Sequence, residues 1–428
     1  MIKRMLVLLC VSFCLVSVSA GGQTEALAST TTLTVGGIDY PYTGSAMEKF
    51  LITSTDVKLN QDWGILRFED GTIQTVMRSG EGPEVLVVNS GPGRAGLLAR
   101  NNLIKNLDPI IEGTGIIERY QPWVIEKLKL EGNGHVIELV EGIDVFQFYY
   151  NKKIFAELGL EKYLPLKSWD DFIEMSLKIK AAGYLPLALG MLDNFGGGWL
   201  GGLVMEAAAG NERMTEVIYG NGSFNTPEFI QGFKMLKQLA DLGIIDRQKA
   251  LALGGSSQIQ YIVDEIAAMS ALPIAHIMTG QAEGNDMNRF GSFVLPTTEA
   301  GRPGRPTSGF AHGWVVASTV PDNKMPAVVK FLDFISSQEY TRNAFNGGAT
   351  LISPLKEMPA DIILHPLLQD ARDKLELGAG YNPSVYFPAS AVTAWYEALQ
   401  GVVAGTMTPE VAALRIHNAF EKERAAVK

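Results

Sequence analysis

Short apolar runs and amphipathic segments alternate through almost the whole chain, and this alternation limits the choice of fold. Leu33–Val35 is typical of a short strand, and Val85–Val88 is an apolar run bounded by turn residues, as expected for a buried strand. Ser168 can cap a helix that begins at Trp169 and ends before Gly183. A chain of 428 residues with this pattern is predicted to be an α/β protein.

The N-terminus has the features of an export signal. Lys3 and Arg4 precede an apolar run, Met5–Val18, and small residues allow cleavage after Ala20 or Ala28. Residues 1–28 are therefore predicted to be a secretory signal peptide, and the run is short for a membrane-spanning helix. We expect a periplasmic or extracellular protein.

Both cysteines of the sequence, Cys10 and Cys14, fall inside this predicted peptide. The exported chain is then expected to have no disulfide, so its apolar core alone must stabilise it. Phe13 stands where a small residue normally precedes a lipidated cysteine, and we therefore expect no lipid anchor.

Composition and motifs exclude several classes of function. The formal charge is −10 and no run of basic residues occurs, which argues against nucleic-acid binding. The sequence contains no H-E-x-x-H, G-x-S-x-G or Walker motif, and no two of its five histidines stand at metal-ligand spacing. No catalytic residue, metal or cofactor is expected.

Gly91–Gly96 matches the pattern G-x-G-x-x-G between a predicted strand and a predicted helix. This pattern is typical of dinucleotide binding, but no acidic residue closes a second strand about 20 residues later. A tight strand-to-helix turn is one alternative. A second is a turn whose backbone N–H groups, beside Arg94, bind a polar ligand without chemistry.

Several short motifs, in a fixed order, carry a family resemblance. One of these motifs is the run around Tyr149–Lys152, and others lie before and after it in the chain. Together they span residues 33–420, and the chain thereby resembles the family 1 extracellular solute-binding proteins of ABC importers, the sugar-binding relatives of maltose-binding protein. The motifs are Ser79–Val85, Phe148–Phe155, Lys167–Phe172, Leu187–Gly190, Phe224–Glu228, Glu265–Met269 and Phe331–Ser337.

The resemblance implies a two-lobed α/β fold of the periplasmic-binding-protein type. Each lobe is expected to be a mixed sheet flanked by helices, and a hinge joins the lobes. The N-terminal lobe is predicted to comprise residues 29–142 plus 270–340, and the C-terminal lobe residues 143–269 plus 341–428. The implied function is to bind a mono- or oligosaccharide or a polyol between the lobes, as a monomer that delivers the solute to the membrane permease subunits.

The residues expected to contact the solute lie in loops that follow strands, where ligands bind in open α/β sheets. Carboxylates and amides suit sugar hydroxyls, and aromatic rings suit the apolar faces of a sugar. In the relatives, an arginine matching Arg94 and a carboxylate matching Asp144 contact the ligand. The predicted set is Asp39, Tyr40, Tyr42, Asn89, Arg94, Asp144, Asp193, Asn194, Trp199, Phe310, His312 and Trp395.

Several of these residues also have a plainer interpretation. Asp39, Tyr40 and Tyr42 could belong to a solvated loop, and Trp199 and Trp395 could be core residues. Asp144 could form a structural ion pair, although an isolated acid in an apolar strand is costly to bury.

Ser270–His276 departs from the family pattern, in which a tryptophan usually follows the A-A-M strand. A maltose-like ligand therefore cannot be assumed, and an acidic sugar or sugar phosphate opposite Arg94 is an alternative. A secreted glycan-active enzyme and a binding protein that feeds a chemoreceptor are the other functions left open.

Overall fold

The computed structural model describes residues 30–38, 42–63, 71–299 and 301–427. The predicted signal peptide and the candidates Asp39 and Tyr40 lie outside these ranges. The strands of the described chain are β1 Thr31–Gly37, β2 Val57–Asp62, β3 Val85–Val88, β4 Leu139–Asn151, β5 Leu185–Ala188, β6 Ala267–Pro273, β7 Phe290–Phe293, β8 Thr307–Val316 and β9 Gly380–Tyr381.

Helices follow most of these strands, as the alternation predicts. They are α1 Thr43–Thr53, α2 Thr72–Ser79, α3 Ala95–Arg100, α4 Asp108–Ile111, α5 Ile116–Arg119, α6 Pro122–Glu131, α7 Lys152–Glu157, α8 Trp169–Ala181, α9 Phe195–Ala208, α10 Gly210–Tyr219, α11 Pro227–Asp241, α12 Arg247–Ala252, α13 Gln258–Val263, α14 Ile274–Ala282, α15 Met325–Ile335, α16 Gln338–Asn346, α17 Pro366–Lys374, α18 Pro383–Tyr386, α19 Ala389–Ala404 and α20 Pro409–Val427. The Ser168 hydroxyl accepts a hydrogen bond from Asp171 N at 3.1 Å, so the predicted cap of α8 is confirmed.

All nine strands of the described chain belong to one mixed sheet, in the order β2-β1-β3-β8-β4-β6-β5, with β7 paired to β4 and β9 to β8. β1 is parallel to β2 and β3, and β5 is parallel to β6. β8 is antiparallel to β3 and β4, and β4 is antiparallel to β6. The α/β class predicted from the sequence is confirmed.

Two hydrophobic cores pack against this sheet. The first contains side chains of β1, β3, α1, α6 and α15, and the second contains side chains of α8, α9, α11, α19 and α20. The long strand β4 serves both, since Val145 packs in the first core and Phe148 in the second. Side chains as far along the chain as Ala379 pack in the first core, past residue 340. The division into lobes by residue number stays a prediction.

The strand directions bring loops from both sides of the sheet to the middle of β4. We call the side with β1 and β3 the first half, and the side with β5 and β6 the second half. β3 and β4 both run antiparallel to β8 and therefore point the same way, whereas β6 runs against β4. The carboxyl ends of β1 and β3 thus face those of β5 and β6 across the sheet. Register places Pro273, the end of β6, opposite Phe146 of β4, beside Asp144.

Candidate functional site

Asp144 lies where these strand ends converge. It is partly exposed, and its Oδ1 accepts a hydrogen bond from the N–H of Ala275 at 3.3 Å, in the first turn of α14. Burial raises the pKa of the Asp144 carboxyl to about 7, although N–H groups of Ala275 and Val145 act in the opposite direction. No ion pair with a described residue involves Asp144, so its carboxyl is free to accept hydrogen bonds from a solute.

Aromatic rings line the floor beside Asp144. The Trp199 ring centroid lies 6.3 Å from that of Phe146 and 6.3 Å from that of Phe195, and the imidazole of His276 packs edge-on against it at 4.9 Å. Trp199 is 7% exposed and Phe195 is 53% exposed. The rings therefore lead from the interior to the surface and offer apolar faces beside a carboxyl group.

A glycine-rich turn delivers Trp199 to this position. Asn194 adopts a left-handed conformation, with φ of 71°, immediately before α9. A Cβ at Gly196 would lie 2.3 Å from the carbonyl oxygen of Gly190, so the helix can approach the end of β5 this closely only with glycine. The glycine run is therefore the packed first turn of α9.

Asp193 and Asn194 brace this turn. Asp193 Oδ1 accepts hydrogen bonds from Gly255 N at 2.9 Å and from Phe195 N at 3.2 Å. Asn194 Oδ1 accepts one from Gln400 Nε2 at 2.8 Å. Both residues are partly exposed, so each retains surface toward a solute in addition to its bracing role.

The opposite wall is the segment Asn89–Arg94, called the 89–94 turn below. The amide of Asn89 donates to the carbonyl of Ala311 at 3.4 Å, which ties the turn to β8 beside Asp144. A Cβ at Gly91, whose φ is +122°, would lie 2.6 Å from the carbonyl oxygen of Val385. The turn therefore contacts the segment that leads into α19, which packs in the second core.

Three backbone N–H groups of the G-x-G-x-x-G pattern are bonded within the protein. The N–H of Gly91 donates to Glu131 Oε1 at 2.7 Å, and the N–H groups of Arg94 and Gly96 both donate to the carbonyl of Gly91. These donors are occupied within the protein, and α3 has only six residues. The dinucleotide interpretation and the backbone-cradle interpretation are therefore not supported, and the side chain of Arg94 remains the candidate there.

The charges of Arg94 and Asp193 both act on the phenol of Tyr396. Burial raises the pKa of the Tyr396 phenol, the positive charge of Arg94 lowers it and the negative charge of Asp193 raises it. A Cβ at Gly198 would lie 2.9 Å from Cε1 of Tyr396, which places this ring against the first turns of α9. We use "the cleft" for the surface formed by Asp144, Ala311, Trp199, His276, Tyr396 and the 89–94 turn.

Phe310 and His312 do not face the cleft. In the β4–β8 register, Gly309 lies opposite Asp144 and Phe310 lies opposite Ile143, so Phe310 occupies the other face of the sheet. Both residues are 0% exposed, and Phe310 stacks on Trp123 at 6.0 Å. The expectation that they contact the solute is corrected: Gly309 and Ala311 are the β8 residues on the cleft face.

Tyr42 and His312 belong to a buried polar cluster around Glu141. His312 Nε2 lies 2.6 Å from Glu141 Oε1 and 2.7 Å from the hydroxyl of Tyr42. Trp314 Nε1 donates to Glu141 Oε2 at 2.8 Å, and the hydroxyl of Tyr340 donates to the same oxygen. Tyr42 is therefore a core residue that supports the β4–β8 pair and does not line the cleft.

Trp395 is also a core residue. It is 0% exposed and packs against Phe224, Phe233 and Phe387 in the second core. Its neighbour Tyr396 points to the cleft, because consecutive residues of a helix face different directions. The core alternative, which the sequence left open, therefore applies to Trp395.

Sequence reasoning missed His276, Phe146 and Phe195 as cleft residues. A signal existed for His276, which ends the segment where the usual family tryptophan is absent. Burial lowers the pKa of the His276 imidazole, so its neutral form is favoured against Trp199. Of the predicted set, Asn89, Arg94, Asp144, Asp193, Asn194 and Trp199 lie together at the cleft.

No helix within the described residues has both the length and the apolar character needed to cross a bilayer.

Comparison with known proteins gives consistent matches. Residues 40–342 match a family model described as bacterial extracellular solute-binding protein. The sn-glycerol-3-phosphate-binding periplasmic protein UgpB of Shigella flexneri is 26% identical over 179 residues, 39% of each chain. The Salmonella paratyphi A protein of the same name is 23% identical over 276 residues, 61% of this chain and 59% of the relative. The matched regions therefore span less than two thirds of these curated relatives.

Solved structures match over nearly the whole chain. A family 1 extracellular solute-binding protein from Bifidobacterium longum subsp. infantis has a TM-score of 0.77 and 19% identity, covering 92% of this chain and 100% of that one. A chitin oligosaccharide binding protein has a TM-score of 0.75 and 20% identity, covering 92% and 99%. The bacterial solute receptor AcbH, described as having an exclusive substrate preference for β-D-galactopyranose, has a TM-score of 0.74 and 15% identity, covering 93% of this chain and 99% of that one. The fold is thus the two-lobed α/β fold that the motifs predict.

Proposed function

Since the chain belongs to the bacterial extracellular solute-binding protein family, we propose that it is the solute receptor of an ABC importer and binds a mono- or oligosaccharide or a polyol in the cleft. The sugar-binding structural neighbours and the glycerol-phosphate-binding relatives support a small polyhydroxylated solute. The protein acts after export, as a monomer, and presents the loaded form to the membrane permease subunits.

The observation that carries this proposal is the position of Asp144 beside the aromatic floor. A sugar or polyol presents hydroxyl groups at its edge and C–H groups on its faces. Asp144 supplies a hydrogen-bond acceptor for the hydroxyls, and Trp199 and Phe195 supply apolar surface for the faces. One well-packed ring contributes about 1–2 kcal/mol, whereas micromolar affinity needs about 8 kcal/mol, so several of these contacts must act together.

The charges of the cleft favour a neutral solute over an anion. Arg94 is the cationic side chain of the predicted set, and two carboxyl groups, Asp144 and Asp193, lie in the same cleft. A phosphate would meet the charge of Arg94 but would also be repelled by these carboxylates. We therefore place sugars and uncharged polyols ahead of sn-glycerol 3-phosphate, which the test below includes.

Hinge closure is the mechanism that we propose. β4 and β8 join the two halves, and their pairing shifts register between Val140 and Ile143. The 89–94 turn reaches the second half at Val385, and bending at the register shift would open or close this contact. A solute that bridges Arg94 and Asp144 binds the closed form more tightly and shifts the population toward it. The solute leaves unchanged, so we propose no enzymatic step.

The test is calorimetry of the mature protein against a library of sugars, polyols and sn-glycerol 3-phosphate. We expect micromolar binding of at least one neutral member and at least a tenfold loss of affinity in Asp144→Ala. Asp322→Ala is the matched control and should bind normally. Asp322 is exposed and stands two residues before Lys324, which pairs with Glu84 at the start of β3, the end of that strand opposite the cleft. Binding of sn-glycerol 3-phosphate alone would overturn the neutral-solute assignment. A library without any bound member, or turnover of a glycan, would overturn the receptor function.

A further inference from the structure

Two buried carboxyl groups lie directly beneath the 89–94 turn. Glu131 is the last residue of α6, and Glu138 immediately precedes β4; they are 7% and 0% exposed. Glu131 Oε1 accepts a hydrogen bond from Gly91 N at 2.7 Å, and Glu138 Oε2 accepts one from Ser90 Oγ at 2.9 Å. Ser90 and Gly91 are consecutive, and the two carboxyl groups interact with each other, so they are neighbours.

The second oxygen of each carboxyl lacks a donor. Glu131 Oε2 and Glu138 Oε1 are buried, and no described residue donates a hydrogen bond to either. Two neighbouring buried carboxylates repel each other. A proton held between them supplies the missing hydrogen-bond donor. Burial raises the pKa of Glu131 to about 7; burial, and then the charge of Glu131, raise the pKa of Glu138 well above its ordinary value. Both directions agree with one shared proton.

The groups around the pair do little to neutralise a second negative charge. Arg100 of α3 is the cation that acts on Glu131, and its charge opposes the rise in the Glu131 pKa. Its guanidinium also donates to the carbonyl of Pro92 at 2.6 Å and interacts with Glu423, so its charge is shared with groups outside the pair. The other titratable groups that face the pair are phenols: Tyr120 before α6, Tyr219 at the end of α10, Tyr381 of β9 and Tyr386 of α18. Burial raises the pKa of each phenol, so these groups stay neutral.

We propose that Glu131 and Glu138 are positioning residues for solute binding: one proton shared between them holds Ser90 and Gly91, and through them Asn89 and Arg94, at the edge of the cleft. Loss of this proton at alkaline pH places two negative charges together in the interior, which loosens the 89–94 turn and weakens solute binding. This inference rests on the proposed function, because it assigns the pair a role in that same cleft.

The first measurement needs no solute. Hydrogen exchange of peptides covering residues 88–98 is followed by mass spectrometry between about pH 6 and about pH 9.5 and is corrected for the intrinsic pH dependence of exchange. We expect the protection of this segment to fall at least tenfold at the alkaline end. In Glu138→Gln the amide donates to Glu131 as the protonated carboxyl does, so protection should stay constant across the same range.

The second measurement is the dissociation constant of the tightest-binding library solute over the same pH range, for the wild type and Glu138→Gln. The ratio of the two constants cancels the titration of Asp144, which both proteins share. We expect this ratio to be near one at about pH 6 and to reach about ten at the alkaline end, which is one pKa unit of linkage. Glu138→Ala, which cannot restore the contact, should bind weakly at every pH.

Identical pH profiles of the wild type and Glu138→Gln, in exchange and in affinity, would overturn the inference. If Glu138→Gln does not fold, Ser90→Ala provides the second variant, because it keeps both carboxyl groups and removes only the hydroxyl that joins the turn to Glu138. It should lower the protection of residues 88–98 at neutral pH, and unchanged protection would also overturn the inference. Failure to find any solute would overturn the proposed function alone, since the exchange measurement is made on the free protein.

Discussion

Asp144 Oδ1 and the backbone N–H of Ala275 are joined at 3.3 Å, and this contact links the central strand to the first turn of α14. The strand β4 contributes side chains to both cores. Helix α14 follows β6, the strand that pairs antiparallel with β4. The carboxyl group that we assign to solute binding is therefore held by backbone of the helix that follows β6, and its second oxygen remains available. Because we propose that this carboxyl group contacts the solute, its ionisation should make the solute affinity depend on pH.

We expect solute affinity to rise between about pH 5.5 and about pH 8, because an ionised carboxylate is the stronger acceptor of hydroxyl hydrogen bonds and the pKa of Asp144 is about 7. In Asp144→Asn, affinity at pH 8 should fall about tenfold and its rise with pH should disappear. Calorimetry of both proteins at several pH values measures this. A variant that keeps the wild-type rise would show that another group is responsible.

Two tryptophans separate binding from stability. Trp199→Ala removes the cleft ring and should weaken solute binding by about fivefold to thirtyfold, equivalent to about 1–2 kcal/mol. Trp395→Phe alters the second core and should lower the free energy of unfolding while leaving the dissociation constant unchanged. Chemical denaturation and calorimetry on both variants give the comparison. Equal losses of affinity would contradict the assignment of these rings.

The buried cluster around Glu141 should be important for stability. Burial alone would raise the pKa of Glu141, but interactions with His312, Tyr340 and Trp314 bring it below its ordinary value. Stability from this group is therefore complete above its unfolded pKa and is lost only as pH falls through the lower folded pKa. Glu141→Ala should cost about 3 kcal/mol in unfolding free energy at neutral pH. Glu339→Ala, which breaks the exposed pair with Lys49, should cost less than about 1 kcal/mol.

Glu206 should make the protein less stable as pH rises, which is the opposite of the pH dependence expected from Glu141. It is 4% exposed, and burial raises its pKa to about 7, although Arg302, Arg305 and Lys127 lower it in part. The folded state then holds a proton that the unfolded state has released, so this contribution to stability is lost as pH rises from about 4.5 to about 7. Relative to the wild type, Glu206→Gln should gain on the order of 3 kcal/mol across that range. Parallel stability curves from pH 5 to pH 8 would refute this.

Gly91 should be required for contact between the 89–94 turn and the second half. Gly91→Ala would strain a residue at φ +122° and place its Cβ 2.6 Å from the carbonyl oxygen of Val385. We expect a loss of both stability and solute affinity. Gly113→Ala is the matched control, because φ there is +72° but no atom lies within 4 Å of the added Cβ. It should lower stability and leave affinity unchanged; loss of affinity in both variants would argue against the contact.

The sequence predicts the class of fold and the loops of the cleft, but it cannot say which face a residue occupies when both faces of a strand or helix are covered. Phe310 and His312 were chosen from the same strand as Gly309 and Ala311, and all four belong to one buried segment. Ordinary alternation of polar and apolar residues, which would reveal the face, is absent there. Trp395 and Tyr396 pose the same problem on a helix whose sides both carry large side chains.

Asp144 and Trp199 were predicted because their surroundings in the sequence are unusual. A single acid interrupts an apolar strand, and a glycine run precedes one large ring. The pair Glu131 and Glu138 carries no such signal, because each glutamate is common in its local context. Only the tertiary packing of α6 and β4 against Ser90 and Gly91 brings the two together.

The composition of β8 has a consequence for how this protein could acquire a new specificity. Beside Asp144, β8 presents the small residues Gly309 and Ala311, and Val385 already fills the space that a side chain at Gly309 would need. A substitution in this strand would therefore disturb the pairing of β4 and β8, which connects the two halves, before it changed the solute specificity. Sequence changes that alter specificity should therefore accumulate in the connecting loops, while β4 and β8 stay constant.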